Sequence, residues 1–178
     1  DAKLAADQEL GTMVGNAFHA VLKNQPSKEN QLLVLRLAAK FRIKSLEAPV
    51  KKWLLTENRT VAEIQSGLHA LSEMRSQSRD LYEKLYQHSD PQIKRLAIIA
   101  LASLDDVSIV NYFASSWDQL AGDQRQLVIA GLTSNRAKAE ALAKACTTGQ
   151  FKGLTSDSLG NIIAALGANH PSVKSILK

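Results

Sequence analysis

The stretch DPQIKRLAIIALASLDD, Asp90–Asp106, reads as one complete helix followed by the start of another. Asp90 is placed to accept from the free amides of a first helical turn, and Pro91 suits the first helical position, where its missing N–H costs nothing. Ile93, Leu96, Ala97, Ala100, Leu101 and Leu104 then fall at helical spacing and form one apolar stripe. Asp105 and Asp106 stop that helix and can cap the next, whose stripe is Val107, Val110, Phe113, Ala114 and Trp117. Gly122 closes the unit.

The same phrase recurs along the chain. Leu37, Leu71, Leu101, Leu132 and Leu166 each lie late in an apolar stripe, at intervals of roughly 30 to 34 residues, and that spacing is a repeat signal. Each stripe follows a capping or turn residue: Ser27, Thr60, Asp90, Gly122 with Asp123, and Thr155. Thr60 and Glu63 have the spacing of a capping box. Second helices are expected over 46–56, 78–88, 106–118, 135–148 and 171–178. An extra helix, with Leu10, Val14, Ala17, Phe18 and Val21 on one face, precedes them. The expectation is about eleven helices and no strand. GLTSN at Gly131 and GLTSD at Gly153 are out of phase with this period: the first closes a helix and the second opens one.

The series Asp90, Pro91, Lys94, Arg95, Ala97, Ala100 and Leu101 resembles a HEAT or HEAT-like repeat. His170, Pro171, Val173 and Lys174 resemble a degenerate copy of the same opening, while the other units share only the Ala-Leu core. The resemblance implies an all-α, right-handed α-solenoid of about five helical hairpins plus an N-terminal helix. One helical-repeat domain over 1–178 is expected, as part of a longer chain. Its parts would be the N-terminal helix at 1–25 and repeats near 27–58, 60–88, 90–120, 122–150 and 155–178. A single pair cannot bury its stripes alone, whereas stacked pairs join them into one core. The first helix, with His19 and Lys23, is the expected cap on the exposed end of that core. The chain is also similar to the helical-repeat segment of exported planctomycete-type proteins that carry a dehydrogenase-like propeller and a c-type haem domain. That likeness implies a periplasmic setting; without it the expectation is cytoplasmic.

Composition narrows the chemistry. Hydrophobic residues make up 45% and aromatic residues 5% of the chain, a balance that fits close-packed helices better than β-branched strands. The one cysteine, Cys146, allows no internal disulfide and sits near a helix C-terminus, where a thiolate gains no help. His69 and Glu73 share a helix face, but zinc needs three or four ligands, so no metal or other cofactor is expected. Asp105 and Asp106 read as a helix boundary rather than a catalytic pair. Gly11 and Gly15 read as a close-packing surface. No nucleophile elbow or phosphate loop is present, and the chain is expected not to be an enzyme.

The net charge is +5, and its densest segment is Arg36, Lys40, Arg42, Lys44, Lys51, Lys52 and Arg59 against Glu47 and Glu57. Arg36, Lys40 and Lys44, spaced by four, would line one side of a helix continuing that far. With Lys51, Lys52, Arg79, Lys84, Lys138 and Lys144 they make up the candidate partner-binding set. The expected function is a non-catalytic interaction or scaffold module that presents a concave row of helices to a protein partner or neighbouring domain. One alternative is a nucleic-acid-binding HEAT-like protein of the DNA-glycosylase type, using segment 36–59 on phosphates. Another is a structural spacer in a multidomain exported enzyme. Trp53 and Trp117 lie at core-like phase and read as packing anchors rather than base-stacking platforms.

Overall fold

The structure is a computed structural model, and it describes residues 2–23, 27–56 and 58–177. Every regular element among the described residues is helical. The order is α1 (Ala2–Lys23), α2 (Lys28–Phe41), α3 (Glu47–Leu54), α4 (Val61–Glu73), α5 (Arg79–Tyr86) and α6 (Pro91–Ser103). There follow α7 (Ile109–Ser116), α8 (Gly122–Thr133), α9 (Arg136–Thr147), α10 (Ser156–Leu166) and α11 (Pro171–Ile176). Short 3-10 turns precede α3 at Lys44–Leu46 and follow α7 at Trp117–Gln119. Each of the five segments expected from the repeat period holds two helices.

The helix starts follow the capping chemistry. The Ser27 side chain accepts from Asn30 N–H, Thr60 and Glu63 complete a reciprocal capping box, and Thr155 accepts from Ser158 N–H. Asp90 Oδ1 accepts from Gln92 N–H at 2.8 Å. His170 takes the equivalent role before Pro171, its Nδ1 accepting from Ser172 N–H at 3.3 Å. The fourth start is shifted by one residue. Ala121, not Gly122, is the cap position of α8, and Gln124 Oε1 accepts from its N–H at 3.1 Å. Asp106 does cap, but it holds a turn, accepting from Ser108 N–H at 2.8 Å, so α7 begins only at Ile109.

The chain divides into two compact units whose borders fall inside α5 and α6. The first comprises residues up to Leu81 with His88–Leu96. In it α2 packs along α4, α3 packs on α4, and α1 lies against α2 and the Lys44–Leu46 turn. Leu35, Ala38, Leu46, Val50, Ile64 and Leu71 form its core. Of the expected α1 face, Phe18 is buried and Val14 and Val21 are half-buried, while Leu10 and Ala17 are exposed. Gly11 and Gly15 pass Ile43 and Leu46 at 3.7 and 3.8 Å from where a Cβ would stand, which is ordinary close packing. The side chains of His19 and Lys23, expected to cap this end, lie outside what the structure describes.

The second unit comprises Tyr82–Gln87 and the chain from Ala97 onward. Here α8 packs on α10 and α9 on α11, so first helices meet first helices and second helices meet second helices. Gly131 of α8 sits so close to Ala102 of α6 that a Cβ there would stand 3.1 Å from its carbonyl carbon. Ile98, Leu101, Phe113, Val128, Leu132, Leu142 and Ile162 fill the core.

The repeat register needs one correction. Leu71, Leu101 and Leu132 are fully buried, whereas Leu37 and Leu166 are only half-buried. The backbone gives the reason in the first pair. The α2 exit has Ile43 N–H donating to Ala38 O at 3.1 Å, and the α4 exit has Ser76 N–H donating to Leu71 O at 2.9 Å. These are matching Schellman closures, so the residue equivalent to Leu71 is Ala38, not Leu37.

Candidate functional site

The matching exits place a left-handed arginine at the end of each helix, Arg42 at φ 50° and Arg75 at φ 54°. A non-glycine residue pays roughly 1 kcal/mol for that backbone. In the shared register Arg36 is the counterpart of His69, and Lys40 that of Glu73. The side-by-side packing of α2 and α4 therefore brings both sets to one place. Arg36, Ala39, Lys40, Phe41, Arg42, His69 and Glu73 line an open cleft of about 410 Å³. Arg42 Nη2 reaches Glu73 Oε2 at 3.4 Å, with both side chains substantially in water. Such a pair contributes little to stability and opens easily. Lys40 Nζ stands 5.9 Å from the centre of the Phe41 ring, and that ring is half exposed. The lining thus offers three cationic side chains against one carboxylate, around an accessible aromatic face.

The candidate set does not gather as a whole. Arg36 and Lys40 meet in the cleft, but α2 ends at Phe41 and Lys44 lies in the following 3-10 turn. The expected three-residue helical stripe is thereby broken, because the left-handed Arg42 turns the chain. Lys51 is tied to Glu47 Oε1 at 2.8 Å. Lys52, Lys84 and Lys144 are exposed, and Arg79 is half-buried in the first turn of α5. Lys138 is a correction: it is 1% exposed and cannot meet a partner. Its ammonium donates to Ala102 O at 2.7 Å and Leu104 O at 2.8 Å, closing carbonyls that α6 leaves open at its C-terminus. Burial pushes its pKa down, and Asp105 opposes that.

Arg59, the last member of the basic segment, is likewise a structural residue. Its Nη1 donates to Gln31 Oε1 and Glu63 Oε1, each at 3.3 Å, and its Nε donates to Trp53 O at 3.3 Å. Its guanidinium lies 4.3 Å from the centre of the Trp53 ring. Burial pushes the Glu63 carboxyl up. Donation from the Thr60 N–H and hydroxyl and from Arg59 outweighs that and holds it below the ordinary range. The second unit repeats the device. Arg125 Nε donates to Trp117 O at 3.2 Å, and its guanidinium lies 5.2 Å from the Trp117 ring. Trp117 Nε1 donates to Lys152 O at 2.8 Å, and the ring meets Phe151 edge-on at 4.8 Å. Both indoles are 2% exposed, so they anchor packing and offer no face for a base.

Other groups are similarly committed. Glu47 accepts from Lys51, from Ser76 Oγ at 2.7 Å and from Ser78 Oγ at 3.4 Å, while Ser76 and Ser78 contact each other. Donation by Lys51 leads the effects that hold the Glu47 carboxyl below its usual range, against an opposing push from burial. Burial raises the Cys146 thiol to about 11, which makes it a poor nucleophile. Among the described residues no buried side-chain polar atom lacks a partner, and no three His, Cys, Asp or Glu side chains converge as metal ligands. No described helix is long and apolar enough to cross a membrane.

Sequence spacing placed Arg36, Lys40 and Arg42 in one basic segment and His69 and Glu73 on one helix face, but it did not join the two groups or include Phe41. The signal was present as a period of 33 set by the helix exits rather than by the leucines. Comparison with known proteins gives no matching family model, no matching curated protein and no matching solved structure.

Proposed function

We propose that the chain is a non-catalytic interaction module, a right-handed solenoid of HEAT-like helical pairs that offers a preformed surface to a protein partner or a neighbouring domain. The observation that carries this reading is the α2–α4 cleft, where Arg36, Lys40, Arg42 and His69 surround the exposed Phe41 face on two packed helices. Binding on such elements costs little ordering, because the backbone is already fixed by the helix pair beneath it. Stacking of α8 on α10 and of α9 on α11 supports the solenoid arrangement. Polar side chains in the interior are spent on caps and on ties between helices, which suits a scaffold more than a reaction centre.

The test is affinity capture from an extract of the source cells, using the wild-type chain and the Arg36→Glu/Lys40→Glu variant as baits. The reading expects at least one protein held by the wild type and released by the variant, with unchanged circular dichroism. Identical protein profiles from both baits, or retention of nucleic acid instead, would count against it.

A further inference from the structure

The cleft between the C-terminal halves of α2 and α4 also carries information on what kind of partner it fits. We infer that its occupant is an acidic, extended peptide segment whose carboxylates meet Arg36 and Lys40 and whose one apolar side chain lies on Phe41. This rests on the interaction reading above and names the chemistry of the partner.

Three features point to it. The first is charge. Arg36, Lys40 and Arg42 stand against Glu73 alone, so the lining is cationic, and it also holds the half-exposed Phe41 ring. A carboxylate-rich peptide with one apolar residue matches that combination, because planar carboxylates suit the guanidinium fork of Arg36. The second is Glu73. Its carboxylate lines the cleft and makes an exposed contact to Arg42. It would repel the evenly charged backbone of a nucleic acid, whereas a peptide can place a backbone N–H against it. His69, exposed one helical turn earlier on α4, brings a ring N–H to the same side. The third is Arg42 itself. It occupies a left-handed backbone position at an α-helix exit, where glycine is the unstrained choice. Arg75 takes the same backbone at the α4 exit, so the strain belongs to the shared helix closure; what sets Arg42 apart is that its side chain lines the cleft and is largely in water, open to a carboxylate.

The competing docking surfaces are weaker. The smaller cleft beside α1, about 240 Å³ and lined by residues such as Gly11, Gly15, Ser45 and Leu46, has no charged side chain in its lining to select an occupant. Lys52, Lys84 and Lys144 are single exposed cations.

The experiment is fluorescence anisotropy with a labelled, glutamate-rich short peptide bearing one central phenylalanine, titrated with the full chain. The same peptide with lysine in place of glutamate and a labelled DNA duplex are run beside it. The acidic peptide binds, and Arg36→Glu/Lys40→Glu weakens it by about tenfold or more, since two charge-assisted contacts are lost. Lys152→Glu/Lys174→Glu, at exposed lysines away from the cleft, changes the net charge equally and leaves binding within about twofold. Arg42→Gly raises the melting temperature, because the strain is relieved, yet weakens the peptide; a purely structural arginine would show only the first effect. The assignment is overturned if both double variants weaken binding alike, if the duplex binds more tightly than the peptide and is lost in the cleft variant, or if the wild type binds no acidic peptide. In each of those cases the interaction reading still stands when affinity capture retains a protein, and falls when it does not.

Discussion

Gly131 and Gly160 make a matched pair of substitutions that probe the layer contact between α6 and α8. Both glycines lie inside helices, where replacing glycine by alanine stabilises an exposed position by about 0.5–1 kcal/mol. Nothing lies within 4 Å of a Cβ built on Gly160. At Gly131 the same methyl would fall on the Ala102 side chain and stand 3.1 and 3.2 Å from its carbonyl carbon and oxygen. The Ala102 Cβ and backbone have no rotamer to retreat into, so α8 must move away from α6. Overpacking of that kind costs about 1–3 kcal/mol, enough to exceed the propensity gain. Gly160→Ala should therefore raise the urea midpoint, by up to about 1 kcal/mol in stability, while Gly131→Ala lowers it by about 1–2 kcal/mol. For a chain of this size each kcal/mol moves the melting temperature by about 2–4 °C, within reach of a calorimeter. A Gly131→Ala variant as stable as Gly160→Ala would refute the close approach of the two helices and the layering argued from it.

Glu63→Gln should cost about 2–4 kcal/mol at neutral pH, since it leaves Arg59 without its buried partner and weakens the α4 cap. The carboxyl titrates lower in the folded chain than in the unfolded one, so its contribution is fully present above the ordinary glutamate value of 4.5 and fades as pH falls through the lowered folded value. Denaturation midpoints of wild type and variant should thus converge below about pH 4.5. Lys138 should resist reductive methylation under native conditions while Lys40 and Lys144 react, as read by mass spectrometry; rapid labelling of Lys138 would contradict its burial. Cys146, with its thiol raised to about 11, should react with a disulfide reagent far more slowly in the folded chain than in urea. Trp117→Phe should lose about 1–3 kcal/mol, because Lys152 O loses its donor and part of the ring contact with Phe151 goes.

Much of the helical plan was legible because each helix announces itself by local chemistry. Ser27, Thr60, Asp90 and Thr155 cap where a short polar side chain precedes an apolar stripe, and the second helices fall within a few residues of their expected bounds. Tertiary placement was less legible. Leu37 looked equivalent to Leu71 because the leucines match by eye, but the exits of α2 and α4 are set by their Schellman closures, and those align Ala38 with Leu71. That one-residue shift hid that Arg36 and Lys40 share one cleft with His69 and Glu73. Lys138 looked like a surface cation because a single sequence does not reveal that the carbonyls of Ala102 and Leu104, at the end of α6 and just past it, lie within its reach. Arg59 looked like part of a basic stripe because the Gln31, Trp53 and Glu63 that hold it come from three helices. Charge along the chain is a local signal, whereas pairing is a property of the fold.

The proposed stacking of the helical pairs into a solenoid is tested most directly by small-angle X-ray scattering of the monomer. A compact domain of this length has a radius of gyration of about 16 Å. The stacked arrangement predicts a clearly larger value and a distance distribution with a long tail; a symmetric distribution at about 16 Å would contradict it.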